Sequence, residues 1–309
     1  MNMTQPSAVE PSAILAVDAG GTVLKAALVD RQGRLIAGSA YRLPVDSAGD
    51  RASVEETYIQ LARRGLEEAR SRGLTLAGIG VSIPGPFDYE QGLCLMTHKY
   101  QSIYKVPMRP WFEAGAGPVP VRFVHDSTAF MLGAVWQGPY EGYRRIGAVI
   151  IGTGLGFATL LDGQVFKNPQ GGPGISIYAR PYRAGTAEDY VSRRGITGRF
   201  RQLRPDAFNG SSGPDVREIA ELARQGDRPA LRVFRDTGLF LAEILHDILR
   251  DTRFEVLLLG GQIAKSADLF LPELKSGLED LEHLAIIEQA RDIDDAPLVG
   301  VARACWQAV

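Results

Sequence analysis

One pattern occurs twice in this chain and limits its fold more than any other feature. Between Ile14 and Leu43 an apolar strand, ILAVD, runs through a tight AGGT turn into a second strand, VLKAALVD, and an RQG turn leads to a third, RLIAGSAYRL. Strands joined by turns this short pair antiparallel, as a meander. From Arg145 the order repeats: strand IGAVIIG, turn TGLG, strand FATLLD, a turn at Gly163-Gln164, then VF. The recurrence reads as an internal duplication.

Each meander leads into helices. Ser53-Val-Glu-Glu56 has capping-box spacing, and Tyr58, Leu61, Ala62, Leu66 and Ala69 come after it at helical spacing, which predicts a helix over Ser53–Ser71. A short strand at Ile79–Ile83, a Pro84-Gly85-Pro86 turn and a strand ending at Val124 lead on. That last strand delivers His125 and Asp126 to the start of an apolar helix, Ser127–Trp136. Strand, turn and helix in this order is α/β logic. Beyond the second meander the pattern is largely helical, with helices expected at Val216–Arg224 and Arg228–Asp251. A strand at Phe254–Leu259 then ends in Gly260-Gly261, and a helix comes next. A strand at Ala285–Glu288 and a helix at Ala296–Ala308 close the chain, while Asn168–Gly174 and Asn209–Asp215 read as loops.

Composition narrows the possibilities. With 309 residues, 45% apolar and 23% charged, the chain has material for two domains of ordinary size. Its apolar runs fall far short of the roughly 20 residues of a membrane span, so no membrane role is expected. Met1–Ser12 lacks the basic and apolar regions of a signal peptide, which predicts a frayed tail and a cytoplasmic location. Cys94 and Cys305 stand far apart, outside any paired metal-ligand spacing, so neither a disulfide framework nor a zinc knuckle is indicated. A net charge of −2 with interspersed signs offers no basic stripe, and nucleic acid is not an expected partner.

Three glycine turns carry candidate chemistry. In Asp18-Ala-Gly20-Gly21-Thr22 a strand enters a tight turn whose backbone amides and Thr22 hydroxyl can cradle phosphate oxygens, with Asp18 placed to hold magnesium through water. The same five residues also read as an ordinary glycine hairpin. Gly152-Thr153-Gly154-Leu155-Gly156 repeats the arrangement in the duplicated unit, which would clamp a triphosphate from both sides. Gly260-Gly261 comes after a strand and can let an adenine ring approach the backbone, or can be a plain strand-to-helix turn. Asp126 reads equally as an N-cap of the helix that begins at Ser127 or as a base, since a carboxyl of ordinary pKa, about 3.9, is ionised near neutrality.

Together DAGGTVLKAALVD, GVSIPGP, the His125-Asp126 step, IGTGLGFATLLDG and LLLGGQIAKSA resemble the ROK family of bacterial sugar kinases and related repressors, within the actin-like ATPase superfamily. The resemblance runs from Ile14 over nearly the whole chain. It implies duplicated α/β domains of the actin-like, ribonuclease H-like kind with a nucleotide and sugar cleft between them. The domains would be 13–135, with the helix 296–308 packing back on it, and 136–295. It further implies that Asp18, Gly20, Gly21, Thr22, Lys25, Gly152, Thr153, Gly154, Gly260 and Gly261 bind ATP and magnesium. Pro84, Gly85, His125, Asp126 and Glu188 would meet the sugar, and Asp126 would be the base that accepts the hydroxyl proton. Homodimerisation is typical of the family.

The chain also departs from the family's pattern. His125 stands where an asparagine is usual, and it reads as a sugar contact of altered geometry or as a buried structural histidine. Neither a Glu-x-Gly-His segment nor a cysteine-rich zinc loop comes after the second glycine turn, so no zinc site is expected. A shorter loop, Gly171–Arg183, rich in tyrosine and arginine, takes their place. Glu188, in TAEDYVSRRGI, resembles the glutamate beyond the zinc loop, and otherwise reads as a solvated carboxylate in the first turn of a helix. Thr97–Tyr104 lies where it could meet a sugar ring, or is an exposed loop with anchoring aromatics. The expected activity is phosphorylation of a sugar hydroxyl, glucokinase-like or amino-sugar kinase-like. The alternative is a nucleotide- and sugar-binding sensor with weak or no catalysis.

Overall fold

A computed structural model of the chain describes residues 11–210 and 212–307. Most of the expected N-terminal tail, Ser211 in the second loop and Ala308 of the last helix lie outside the described residues. Ser12, expected in the tail, is instead the first residue of a strand. The chain divides into two compact units. Among the described residues one holds everything up to Trp136, with Gln170–Gly172 and the chain from Pro297, and the other holds Gln137–Pro169 and Pro173–Ala296. No helix among the described residues is long and apolar enough to cross a membrane.

In the first unit the strands are β1 (Ser12–Ala19), β2 (Val23–Val29), β3 (Tyr41–Pro44) and β4 (Thr75–Ile83), then a small hairpin of β5 (Phe87–Asp88) and β6 (Leu93–Cys94), and finally β7 (Val121–His125). Its helices are α1 (Arg51–Ser71), α2 (Arg109–Ala116) and α3 (Asp126–Gln137). The main sheet runs β3-β2-β1-β4-β7, antiparallel through the meander and parallel from β1 to β4 to β7. The central strand is covered on both faces, which is why Ala13–Val17 is an unbroken buried apolar run. Val54, Tyr58, Leu61, Ala62 and Ala69 form the buried stripe of α1.

Two local expectations need correction. The third strand is shorter than Arg34–Leu43, because the Leu28 N–H, which a longer ladder would pair, donates to Ser39 Oγ at 3.0 Å, and regular pairing resumes only at Tyr41. The first helix is capped by Asp50, whose Oδ1 accepts from the Ser53 N–H at 2.9 Å, so Ser53 lies inside the first turn.

The second unit repeats the plan with β8 (Ile146–Ile151), β9 (Leu155–Leu161) and β10 (Gln164–Val165), a hairpin of β11 (Pro181–Tyr182) and β12 (Gly185–Thr186), then β13 (Val256–Gly260) and β14 (Ile286–Gln289). Helices α4 (Ala187–Val191), α5 (Arg193–Leu203), α6 (Val216–Arg224), α7 (Arg228–Thr252) and α8 (Leu271–Ser276) accompany them. Its main sheet runs β10-β9-β8-β13-β14, with the same directions as the first. The segment after Gly261 is a 3-10 helix, Gln262–Leu269, kinked at Ser266 rather than a regular α-helix.

The last helix, α9 (Ala296–Trp306), lies from Pro297 onward with the first unit. Gly300 sits so close to α3 that a Cβ there would collide with the Ala129 carbonyl. Arg122 donates to the Ala304 carbonyl at 3.1 Å, and the Trp306 indole N–H donates to the Asp30 carbonyl at 3.1 Å.

Candidate active site

In the first unit the parallel strands β1, β4 and β7 end side by side. Their registers pair Asp18 with Ser82 and Ile83 with His125, so residues far apart in sequence share one edge of the sheet. In open α/β sheets ligands bind outside the carboxyl ends of such strands. Ser82 Oγ donates to Asp18 Oδ1 at 3.0 Å, and Lys25 stands opposite Asp18 in the β1–β2 hairpin. Burial pushes the Asp18 carboxyl up, the charge of Asp126 adds to that, and Ser82 and Lys25 oppose it.

The first glycine turn comes directly after Asp18. Gly20 donates its N–H to Val23 O at 3.1 Å, and a Cβ at Gly20 would come within 2.8 Å of that carbonyl, which only glycine avoids. The Gly20 amide is thus spent on closing the turn. The N–H groups of Gly21 and Thr22 form no hydrogen bond among the described residues, and Gly20 and Thr22 are exposed. Ser47 donates its N–H to Gly21 O at 3.2 Å and fixes the turn from the β3–α1 loop.

Asp126 opens α3, where unpaired N–H groups favour a negative charge. Its Oδ1 accepts from the Ser127 N–H at 2.6 Å and lies 2.9 Å from His125 Nδ1, while the side chain stays 48% exposed. Burial acts to raise this carboxyl. The His125 hydrogen bond and charge, the Ser127 amide and the charge of Lys99 outweigh it, and the group is held below the usual carboxylate range. The helix thus begins at Asp126 itself rather than at Ser127, and a local amide contact and an accessible, ionised carboxylate coexist on that side chain. The His125 ring lies 5.8 Å from the Tyr89 ring, and Gly85 lies against both: a Cβ there would stand 3.3 Å from Tyr89 Oη and 3.6 Å from His125 Cδ2. Pro84 precedes it, half-buried, and the Gly85-Pro86 peptide is cis.

In the second unit Gly152, Thr153 and Gly154 turn the chain from β8 into β9, with the Gly152 N–H donating to Gly154 O at 2.9 Å. Glu188 lies against this turn. Its Oε2 accepts from the Leu155 N–H at 2.9 Å, its Oε1 accepts from Arg194 at 3.0 Å, and a Cβ on Gly154 would come within 2.8 Å of Oε2. A freely solvated carboxylate is therefore the wrong description of Glu188, whose side chain is 22% exposed. Gly260 pairs with Ile150, and Gly261, at φ 83°, lies so close to Ile151 that a Cβ would collide with its carbonyl.

The expected residues thus gather as two sets. The first unit brings together Asp18, Gly20, Gly21, Thr22, Lys25, Pro84, Gly85, His125 and Asp126, and the second Gly152, Thr153, Gly154, Glu188, Gly260 and Gly261. Sequence patterns do not single out Ser82, Tyr89 or Ser47, because only strand register and loop docking carry them to the edge. The Asp18 carboxyl with the Ser82 hydroxyl beside it offers the hard-oxygen donor chemistry that magnesium accepts through water. Among the described residues no cluster of three or more His, Cys, Asp or Glu side chains is placed to hold a metal directly.

Two sheets of one order and one set of directions, each with a glycine turn between its first two strands, define a duplicated α/β protein of the actin-like ATPase fold. The chain belongs to the ROK family, whose model matches residues 14–307. A glucokinase of Thermotoga maritima is 23% identical over 284 residues, covering 86% of this chain and 87% of that protein. An N-acetylmannosamine kinase of Salmonella heidelberg is 24% identical over 302 residues, covering 93% and 96%. Among solved structures, a ROK family glucokinase from Streptomyces griseus in complex with glucose and AMPPNP superposes with a TM-score of 0.75 at 20% identity, covering 96% of this chain and all of that one.

Proposed function

We propose that this protein transfers the γ-phosphoryl group of ATP to a hydroxyl of a sugar, with Asp126 as the base. The observation that carries the reading is Asp126 itself: an accessible carboxylate, held ionised by His125 and Ser127, beside the Asp18 glycine turn. Support for a sugar acceptor comes from the relatives, which include kinases of glucose and of N-acetylmannosamine.

In this reading Gly21 and Thr22 direct free amides toward phosphate oxygens, and Gly152, Thr153 and Gly154 serve the same end in the second unit. Gly260 and Gly261 admit the adenosine close to the backbone. Asp18 would hold magnesium through water, and the ion would supply neutralisation of the triphosphate charge. Asp126 accepts the proton of the attacking hydroxyl as the bond to phosphorus forms. His125 Nδ1 keeps the carboxylate aimed, and Pro84, Gly85 and the His125 ring shape the acceptor side. Glu188, tied to the Leu155 amide, sets the second glycine turn and offers the sugar an anionic contact. We place the reaction in the cytoplasm.

The test is ADP release with magnesium and ATP across a panel of hexoses, amino sugars and N-acetylated sugars, run beside Asp126→Asn. Removal of a positioned base costs about 10²- to 10⁴-fold, so sugar-dependent turnover should fall by that order in the variant. If nucleotide binds and no sugar stimulates turnover, the chain is a sensor and the kinase reading fails.

A further inference from the structure

The segment Thr97–Tyr104 is docked on the first glycine turn. Tyr100 is fully buried, its Oη donates to Gly20 O at 2.6 Å, and its backbone N–H donates to Ser47 O at 2.7 Å. Tyr58 Oη donates to Tyr100 Oη at 3.2 Å from α1, so the anchor is itself held from the core. The preceding residue is thereby hung over the turn: Lys99 Cδ lies 3.7 Å from the position a Cβ on Gly21 would take. Lys99 is half-buried, and among the described residues it forms no hydrogen bond or ion pair.

With no such partner in direct contact among the described residues, its charge is open to an arriving anion. A neutral hydroxyl would accept one hydrogen bond and leave the charge uncompensated. A phosphoryl oxygen compensates it, and a lysine, as a flexible point charge, suits a group whose charge is spread over several oxygens. The surroundings point the same way. Asp126 is held ionised beside the Asp18 carboxyl, and a phosphoryl group entering there meets repulsion that a nearby cation offsets. The field of Lys99 reaches Asp126, where it helps to hold the carboxyl down.

We propose that Lys99 is a catalytic residue that binds an oxygen of the phosphoryl group during its transfer, beside the free Gly21 amide. This rests on the kinase reading. The bond from phosphorus to the leaving ADP oxygen breaks as the bond from the sugar oxygen forms, and the hydroxyl proton passes to Asp126. Lys99 keeps its own protons and supplies charge alone.

The experiment compares the parent chain with Lys99→Met and Lys99→Arg in two ways. Steady-state turnover should show kcat lowered about 10²- to 10³-fold in Lys99→Met, the range for loss of one preorganised charge-stabilising donor. The sugar KM should stay within about threefold, and Lys99→Arg should recover part of kcat, because it restores the charge. Calorimetric titration should show ADP binding unchanged in Lys99→Met while the preference for AMPPNP over ADP shrinks. A kcat left intact overturns the proposal, as does a raised sugar KM at constant kcat, which would make Lys99 a sugar contact. Equal loss of ADP and AMPPNP affinity also overturns it, since the lysine would then serve the turn as a whole. A parent inactive with every sugar sinks the kinase reading instead, and the nucleotide titration still decides whether Lys99 meets the terminal phosphoryl group.

Discussion

Asp18 and Asp126 stand at one sheet edge, and their carboxyls are pushed in opposite directions, Asp18 up by burial and Asp126 down chiefly by His125 despite its burial. Environments that separate two carboxyls in this way assign different tasks to them. The raised value at Asp18 also has a stability consequence. A carboxyl whose folded pKa exceeds its unfolded value weakens the fold where it is charged, and the penalty fades as pH falls through the folded value. Asp18→Asn keeps an acceptor for Ser82 and removes the charge. The variant should therefore melt at higher temperature than the parent near neutral pH, with the gain shrinking on acidification, while losing kinase activity. Thermal melts at neutral and acidic pH check both signs. Asp18 and Asp126 could be picked from the sequence because each lies beside a recognisable step. Ser82 could not, because its bond to Asp18 spans 64 residues and exists only through the β1–β4 register.

At the scale of elements, the meanders and long helices were legible from periodicity, and their ends were not. Ser53 and Glu56 have the spacing of a capping box, yet the cap is Asp50, three residues earlier. A true capping box forms at α6, where Asp215 caps and Glu218 Oε2 accepts from the Asp215 N–H at 2.7 Å. Spacing alone does not separate the two cases, because an i, i+3 pair can fall inside a helix as well as at its start. Asp50→Ala should cost about 1 kcal/mol of stability, and Ser53→Ala much less, as measured by urea denaturation. The β3 strand shows the same limit. Its first half was lost to a side chain, since Ser39 Oγ takes the Leu28 N–H that a longer ladder would have used.

For the whole molecule, the chain's last helix completes a unit begun by its first strand. Gly300 allows α9 to meet α3 at the Ala129 carbonyl, and any larger residue must force the helices apart. Gly300→Val should destabilise the first unit by about 1–3 kcal/mol or more, with earlier proteolysis of that unit than in the parent. The sequence by itself determined the α/β class, the twofold repeat of the meander and the three glycine turns, because these depend on local periodicity and on backbone freedom within a few residues. Only the tertiary structure decided that Glu188 buttresses the second glycine turn, that Tyr100 anchors its loop on Gly20, and that Lys99 lies over Gly21. Those contacts join residues 33 to 80 positions apart, and nothing in the local pattern of a loop encodes which distant backbone group it will meet.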